Sequence, residues 1–238
     1  VVEENGQLMI ERVGVNLVLR RIDAKITFRL TFDIDDAVEG SVVFSDMAYR
    51  VHNVPDVAYL FERSRPAGVQ VGQENTWDAA AADPDGNYSC MLDDNFETFD
   101  EQYTDRTGGE FSFYLRESRP VPRKLITASE QGNWSSLYAM REAWTGGSED
   151  TKTPVHGRNF TYAPEKGTLV EISGELSYTR KGDNGNEEVY GNVTYIVHLG
   201  ETGNNANDPD AVNNYDVRRN VRYIYNVTVR GVNDLLVE

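Results

Sequence analysis

Regular alternation of apolar and polar residues is the feature that most constrains how this chain can fold. Apolar side chains occupy every second position from Ile22 to Ile34, with charged residues or threonines between them. The same period of two runs from Val221 to Arg230, with Ile224 as the exception. Because successive side chains of a strand point to opposite faces, this period predicts strands with one buried and one solvated face. The sequence therefore predicts an all-β protein.

Shorter alternating stretches predict further strands. They lie at 43–51, 111–115, 170–178 and 193–199. The segment KGDNGNEEVYG (181–191) predicts a hairpin loop between the last two, because Asp, Asn and Gly tolerate positive φ. Helical periodicity is weak, and only residues 133–144 are predicted to form a short helix.

The parity of the alternation changes across Arg20 and Arg21. Before this point the apolar side chains stand at odd positions, and after it they stand at even positions. The odd set comprises Val13, Val15, Leu17 and Leu19. A shift of one residue turns every side chain to the opposite face, so a bulge or a break must separate the two stretches. The sequence predicts a short first strand at 13–19.

Charge and composition exclude several classes of partner. The chain has 238 residues and a net charge of −16, so nucleic acid and anionic membrane surfaces should repel it. No apolar run approaches the roughly 18 residues of a membrane-spanning helix.

The segment RESRPVPRK (116–124) concentrates two prolines and four basic residues, which is typical of a linker. We therefore predict two all-β domains, 1–118 and 119–238.

No arrangement of residues predicts catalysis, a metal site or a cofactor. Cys90 is the single cysteine, so it can form neither an intrachain disulfide nor a cysteine metal site. His52, His156 and His198 lack zinc-ligand spacing, and we expect three independent histidines that are at the surface or half-buried. Carboxylates are so numerous that pairs of them carry no signal for glycoside hydrolysis. An enzyme is the least expected function.

Several segments, in order along nearly the whole chain, resemble one bacterial family. They are RRIDAKITFRL (20–30), YRVHNVPDVAYLFE (49–62), FYLRESR (113–119), REAW (141–144), NFTYAP (159–164), GNVTYIVHLG (191–200) and YDVRRNVRYIYNVTVRGVNDLLVE (215–238). Together these segments are similar to the fimbrillin family of the Bacteroidales, the major and minor subunits of surface fimbriae.

The resemblance implies a fold and a mode of assembly. It implies two transthyretin-like β-sandwich domains in tandem, in an exported lipoprotein that reaches the outer-membrane surface. It also implies that a protease cuts after an arginine and removes the first strand, and that a strand from a neighbouring fimbrial subunit fills the groove. On this chain the removable strand would be 13–19, and the candidate cleavage points are Arg12, Arg20 and Arg21. The lipid-bearing cysteine expected near the N-terminus is absent, so the lipoprotein inference rests on the resemblance alone.

The last strand leaves two alternatives. We expect residues 221–230 to form an internal strand of the C-terminal sandwich, after which the chain stops. Alternatively, VNDLLVE (232–238) is a modest donor strand. A subunit that accepts a strand but donates none would be a tip or accessory subunit of the fimbria, adhering to a host or bacterial surface ligand.

A second function is kept open beside the fimbrial one. Surface modules that bind glycans are also all-β and acidic, and they need exposed aromatic rings that stack on sugars. Trp77 and Trp134 are the candidates for such a platform. Aromatic residues of this kind more often anchor a core or a loop.

Overall fold

A computed structural model shows a fold made almost entirely of strands. It describes residues 2–4, 7–9, 21–54, 97–98, 103–104, 109–120, 122–131, 136–145, 159–164, 167–183, 185–201, 212–232 and 234–237. The strands are β1 (Val2–Glu4), β2 (Gln7–Met9), β3 (Asp23–Phe32), β4 (Val43–His52), β5 (Glu97–Thr98), β6 (Tyr103–Thr104), β7 (Glu110–Arg116), β8 (Leu169–Gly182), β9 (Gly185–His198), β10 (Arg222–Gly231) and β11 (Asp234–Val237). The helices are α1 (Ala128–Gln131) and α2 (Leu137–Arg141). The prediction of an all-β protein is confirmed.

Two sheets face each other across one core. The first, sheet I, has the order β11-β10-β3-β7, and the second, sheet II, has the order β5-β4-β8-β9 with β6 also on β4. Aromatic rings meet between the sheets: the centroids of Tyr49 and Phe111 are 4.2 Å apart, and those of Phe32 and Phe44 are 5.3 Å apart. Strands β1 and β2 pair only with each other. The described strands therefore form a β-sandwich with a small separate hairpin.

The inner face of sheet I follows the alternation read from the sequence. On β3 the even-numbered residues from Ala24 to Phe32 are at most 2% exposed, and on β10 Tyr225, Val227 and Val229 are equally buried. Burying an apolar side chain of this size contributes about 1.5–3 kcal/mol relative to leaving it in water. Ile22 departs from the prediction, because it precedes the strand and is 42% exposed.

A bulge sets the register of β4 against β8. The pairing shifts between Ser45 and Ala48, and Asp46 adopts a positive φ of 49°. The extra residue lets Phe44 and Met47 both reach the core, although they are three positions apart.

Strands from both sides of residue 118 build both sheets. The last long strand, β10, pairs in parallel with β3 from Arg222 opposite Lys25 to Val229 opposite Phe32. In sheet II, β8 pairs antiparallel with β4. The strand at 221–230 is internal, as expected, but its neighbour on one side belongs to the first half of the chain. In the described residues, the predicted join near residue 118 does not separate two cores.

A partial outer layer covers one end of sheet II. Its helix α2 begins after Ser136, whose hydroxyl accepts a hydrogen bond from the Ala139 N–H at 3.0 Å. Phe160 and Tyr215 pack on Leu169 and Ile196, which point away from the main core. The helix predicted at 133–144 is therefore present as the short α2, within the part of that stretch that the structure describes.

Candidate strand-addition site

The edge of β10 is only half covered. Strand β11 pairs antiparallel with β10 from Val227 opposite Val237 to Gly231 opposite Asp234. In the part of the chain that the structure describes, no strand lies beside residues 222–226 on that side. Since β3 occupies the other side of β10, this half-edge continues the line of β11 and is covered by none of the described strands. Such an edge is a template for an added strand.

The register shows which backbone groups the half-edge presents. The Val221 carbonyl accepts a hydrogen bond from the Lys25 N–H at 3.0 Å, and the Val229 carbonyl accepts one from the Asp33 N–H at 2.8 Å. Odd-numbered residues of β10 therefore turn their backbone groups toward β3. Because these groups alternate along a strand, Arg222, Ile224 and Asn226 turn theirs toward the open side.

A cleft of about 430 Å³ lies beside the half-edge. One wall is the stretch 221–225, and the opposite wall is formed by Gly200, Glu201, Asn214 and Asp216. The cleft thus opens where the edge of sheet I approaches the end of β9 in sheet II. An added strand would find backbone partners on one side and a polar wall on the other.

Two tyrosine hydroxyls fix the walls of this cleft. The Tyr225 hydroxyl accepts a hydrogen bond from the Gly200 N–H at 2.9 Å and donates one to the Gly200 carbonyl at 2.7 Å. The Tyr223 hydroxyl accepts from the Arg218 N–H at 2.9 Å and donates to the Asp216 carbonyl at 3.3 Å. Burial raises the pKa of both phenols above their ordinary value. Both side chains therefore stay neutral and hold the loop to β10.

The approach of the two walls requires glycine at position 200. Gly200 has a φ of +126°, and a Cβ atom there would lie 2.3 Å from the Asn214 carbonyl oxygen. Only glycine combines this conformation with so close a backbone contact.

A second long edge belongs to β9. Helix α2 and the residue after it cover its far end, where Tyr138 donates a hydrogen bond to the Ile196 carbonyl at 2.8 Å and Glu142 accepts one from the His198 N–H at 2.8 Å. Toward the hairpin the described residues place no strand beyond β9, and this part carries exposed Glu187 and Glu188. Charged side chains on an edge oppose unwanted pairing, so the β10 half-edge is the better candidate site.

The two described histidines are each buried beside a carboxylate. The Nε2 of His52 lies 2.6 Å from Glu171, and the Nδ1 of His198 lies 2.6 Å from Glu142. Both residues are at most 2% exposed, so the prediction of surface or half-buried histidines is wrong for these two. For His198 the reason is the outer layer, because Phe160 and Tyr215 pack edge-on against its ring.

Most residues singled out from the sequence lie outside the described residues. These are Arg12, Arg20, Val13, Val15, Leu17, Leu19, Trp77, Trp134, Cys90 and His156. Arg21 is described and is exposed immediately before β3. No group of three or more possible metal ligands occurs within the described ranges.

The cleft itself was not predicted from the sequence. Its components are Gly200, which lies two residues after the end of β9, and Tyr223 and Tyr225 on the inner face of β10. A sequence shows each of them, but not that the chain brings Gly200 to Tyr225.

Comparisons with known proteins identify no relative. No protein-family model, no curated protein and no solved structure matches this chain. None of the helices in the described ranges has the length and apolar character needed to cross a membrane.

Proposed function

We propose that this protein is a non-enzymatic subunit of a bacterial surface fimbria that joins its neighbours by β-strand addition. The observation that carries the proposal is the half-edge of β10, which continues the line of β11 beside a cleft. An extended segment entering there would form an antiparallel pair with Arg222, Ile224 and Asn226. Backbone hydrogen bonds would supply affinity. Every second side chain of the added segment would pack over Tyr223 and Tyr225, and these contacts would supply specificity.

The family resemblance supplies the finer parts of the proposal. The candidate cleavage points are Arg12, Arg20 and Arg21, and a cut after Arg20 or Arg21 would remove the stretch 13–19 before assembly. The mature protein would stand at the outer-membrane surface as part of an exported lipoprotein family. The resemblance implies two tandem transthyretin-like domains. Because residues from both halves share the main core, the proposal keeps only the transthyretin-like character of the sandwich.

A tip or accessory position is favoured by the use of the last strand. Residues Asp234–Val237 already pair with their own β10 as β11. While they are bound there, the same residues cannot serve as a donor for a neighbour. The proposed subunit therefore accepts a strand at its half-edge and keeps β11 for itself.

Proteolysis and light scattering test the proposal. The purified protein is treated with an arginine-specific protease, its new N-terminus is sequenced, and its mass in solution is measured before and after the cut. Removal of residues up to Arg12, Arg20 or Arg21, followed by assembly into larger species, is the expected result. Cuts only at other sites would contradict the proposal.

A matched pair of variants locates the accepting edge. Ile224→Pro removes a backbone N–H that faces the open side, and proline is tolerated at such edge positions. Ile224→Thr keeps that N–H and serves as the control. Assembly of the cleaved protein should be lost in Ile224→Pro and kept in Ile224→Thr, with circular dichroism confirming that both fold. Equal assembly of the two variants would assign strand addition to another edge. A cleaved protein that stays monomeric and binds glycans would favour the glycan-binding alternative instead.

A further inference from the structure

Charged side chains of opposite sign collect at the two ends of the sandwich, all of them exposed except the half-buried Lys25. We call the end where β3 and β10 begin the basic end, and the end where they finish the acidic end. The basic end carries Arg21, Lys25, Arg116, Arg218 and Arg222, and the acidic end carries Asp33, Asp35, Asp36, Glu39, Asp183, Glu187 and Glu188. Because β3 has ten residues, the ends are separated by about 30 Å along the strands.

The basic end is formed by adjacent strands of sheet I. On the outer face, Lys25 stands between Arg222 on β10 and Tyr114 on β7, whose ring is 50% exposed. The acidic groups beside it are Asp23, which is paired in register with Arg116, Glu201 in the cleft wall, and Asp216, which lies 3.8 Å from Arg218. Basic side chains therefore outnumber acidic ones among the described residues at this end, although the chain as a whole is strongly acidic.

The acidic end is formed by the loop after β3 and by the β8–β9 hairpin. The loop pairs with the hairpin, since the Val38 N–H donates to the Thr179 carbonyl at 2.7 Å and the Lys181 N–H donates to the Asp36 carbonyl at 2.9 Å. Arg180 forms an ion pair with Glu187 and lies 3.9 Å from Asp36. The described cations at this end are Arg180, Lys181 and Arg230, so carboxylates outnumber cations there. The described backbone thus holds these carboxylates together as one surface.

We propose that the basic end of one copy binds the acidic end of a second copy, head to tail. The basic end needs a partner with a dense negative surface, and the chain carries such a surface at its opposite end. A contact between unlike ends of identical molecules is heterologous and does not close on itself. It joins copies through charged surfaces and needs no donor strand, so it can form while β11 stays paired with its own β10. The cleft lies at the basic end, because Arg218 and Arg222 line it. This inference rests on the proposed fimbrial function and names a second copy as the partner at that site.

Charge reversal at each end tests the contact in the uncleaved protein. The basic-end variant is Lys25→Glu with Arg222→Glu, and the acidic-end variant is Glu187→Lys with Glu188→Lys. Each variant alone should associate at least about tenfold more weakly than the unmodified protein, because like charges would then face each other. An equimolar mixture of the two should recover association, because the reversed ends are complementary. Sedimentation at increasing protein concentration measures both.

A control variant separates the contact from net charge. Lys181→Glu with Arg230→Glu changes the total charge by the same amount as the basic-end variant, but both residues lie at the acidic end. This control should associate at least as well as the unmodified protein. Association should also weaken as salt rises above about 0.15 M, where charges are screened beyond about 8 Å.

Three results would overturn the inference. One is an uncleaved protein that shows no salt-sensitive association, and another is a mixture of variants that fails to recover it. The third is loss of binding to an acidic polysaccharide, such as polygalacturonate, in the basic-end variant without any change in self-association. Strand addition is tested by a different experiment, in which assembly of the cleaved protein is compared between Ile224→Pro and Ile224→Thr. A failure of strand addition can therefore be distinguished from a failure of the charged contact.

Discussion

The hydroxyl of Tyr225 bonds both backbone groups of Gly200, accepting from its N–H at 2.9 Å and donating to its carbonyl at 2.7 Å. Tyr225 belongs to sheet I, and Gly200 follows the last residues of β9 in sheet II. One phenol therefore fixes the distance between the sheets where the cleft opens. If the cleft accepts a strand, this pair of bonds determines its width.

Replacing Tyr225 should therefore destabilise the protein. Tyr225→Phe leaves the buried N–H and carbonyl of Gly200 without that partner, and we expect a loss of about 1–3 kcal/mol in the free energy of unfolding. Tyr215→Phe is the control, because the buried Tyr215 hydroxyl has no hydrogen-bond partner among the described residues. Its ring would still lie 4.0 Å from the Arg141 guanidinium. Urea unfolding should show a change within about 0.5 kcal/mol for Tyr215→Phe, and equal losses in the two variants would contradict the assigned bonds.

Stability should fall in alkali. Burial raises the pKa of Tyr215 to about 12 and raises that of Tyr225 as well, whereas an unfolded tyrosine titrates near pH 10. Above about pH 10 the unfolded chain loses these protons while the folded protein keeps them, so the free energy of unfolding decreases as pH rises. Below about pH 10 this contribution is fully present. Thermal melting across this range should show a smaller decrease for Tyr215→Phe, and an identical slope would argue against the buried phenol.

Substitution of Gly200 should destabilise the protein more than substitution of Gly191, which lies within β9. Gly200→Ala places a Cβ atom against the Asn214 carbonyl oxygen and forces an unfavourable φ, so we expect a loss of at least about 2 kcal/mol. Gly191→Ala on β9 meets nothing within 4 Å and has no positive φ. Chemical denaturation should leave Gly191→Ala unchanged or slightly more stable. Similar midpoints for the two variants would disprove the close contact at position 200.

The buried hydrogen bond between His52 and Glu171 should matter more than the exposed ion pair between Arg29 and Glu110. Glu171→Ala removes the partner of His52 in a site where both side chains are at most 5% exposed, and we expect a loss of about 1–3 kcal/mol. Glu110→Ala breaks the exposed pair with Arg29 and should change stability by less than about 1 kcal/mol. Denaturant unfolding of both variants measures the contrast. A small effect at Glu171 would mean that the His52 site opens readily to water.

Separate expression tests the division at residue 118. A fragment 1–118 would lack β10 beside β3 and β8 beside β4, and a fragment 119–238 would lack β3 and β4. Each fragment alone should therefore show no cooperative thermal transition by circular dichroism. Co-expression should restore a folded complex. A cooperative transition in either isolated fragment would instead support independent tandem domains.

The local pattern was sufficient to predict the strands but not all of their faces. On β3 and β10 the period of two gave the buried side correctly, because burial on one face is what selects apolar residues at alternate positions. On β4 a bulge interrupts the alternation. It inserts one extra residue between Ser45 and Ala48, and Asp46 within it adopts a positive φ. Val43 is consequently half-buried, while its neighbour Phe44 fills the core.

Strand partners and the cleft depend on contacts between distant residues, which alternation does not encode. Nothing in the sequence around Tyr225 indicates that β3, rather than a strand of the second half, lies beside it. The burial of His198 likewise depends on Phe160 and Tyr215, which come from separate segments. A pattern read along one strand reports which side is covered, but not what covers it.

The parallel pairing of β3 with β10 also sets the earliest moment at which the protein can fold. Thr31 hydrogen-bonds to Thr228, a partner 197 positions later in the chain. At about 5–20 residues per second, a ribosome needs about 10–40 s to synthesise that interval. Throughout that time β3 lacks its neighbour on one side, so the sandwich can close only after β10 has been made. Until β10 has been made, the nascent chain would therefore remain unfolded for about 10–40 s, which leaves time for other proteins to bind it before it folds.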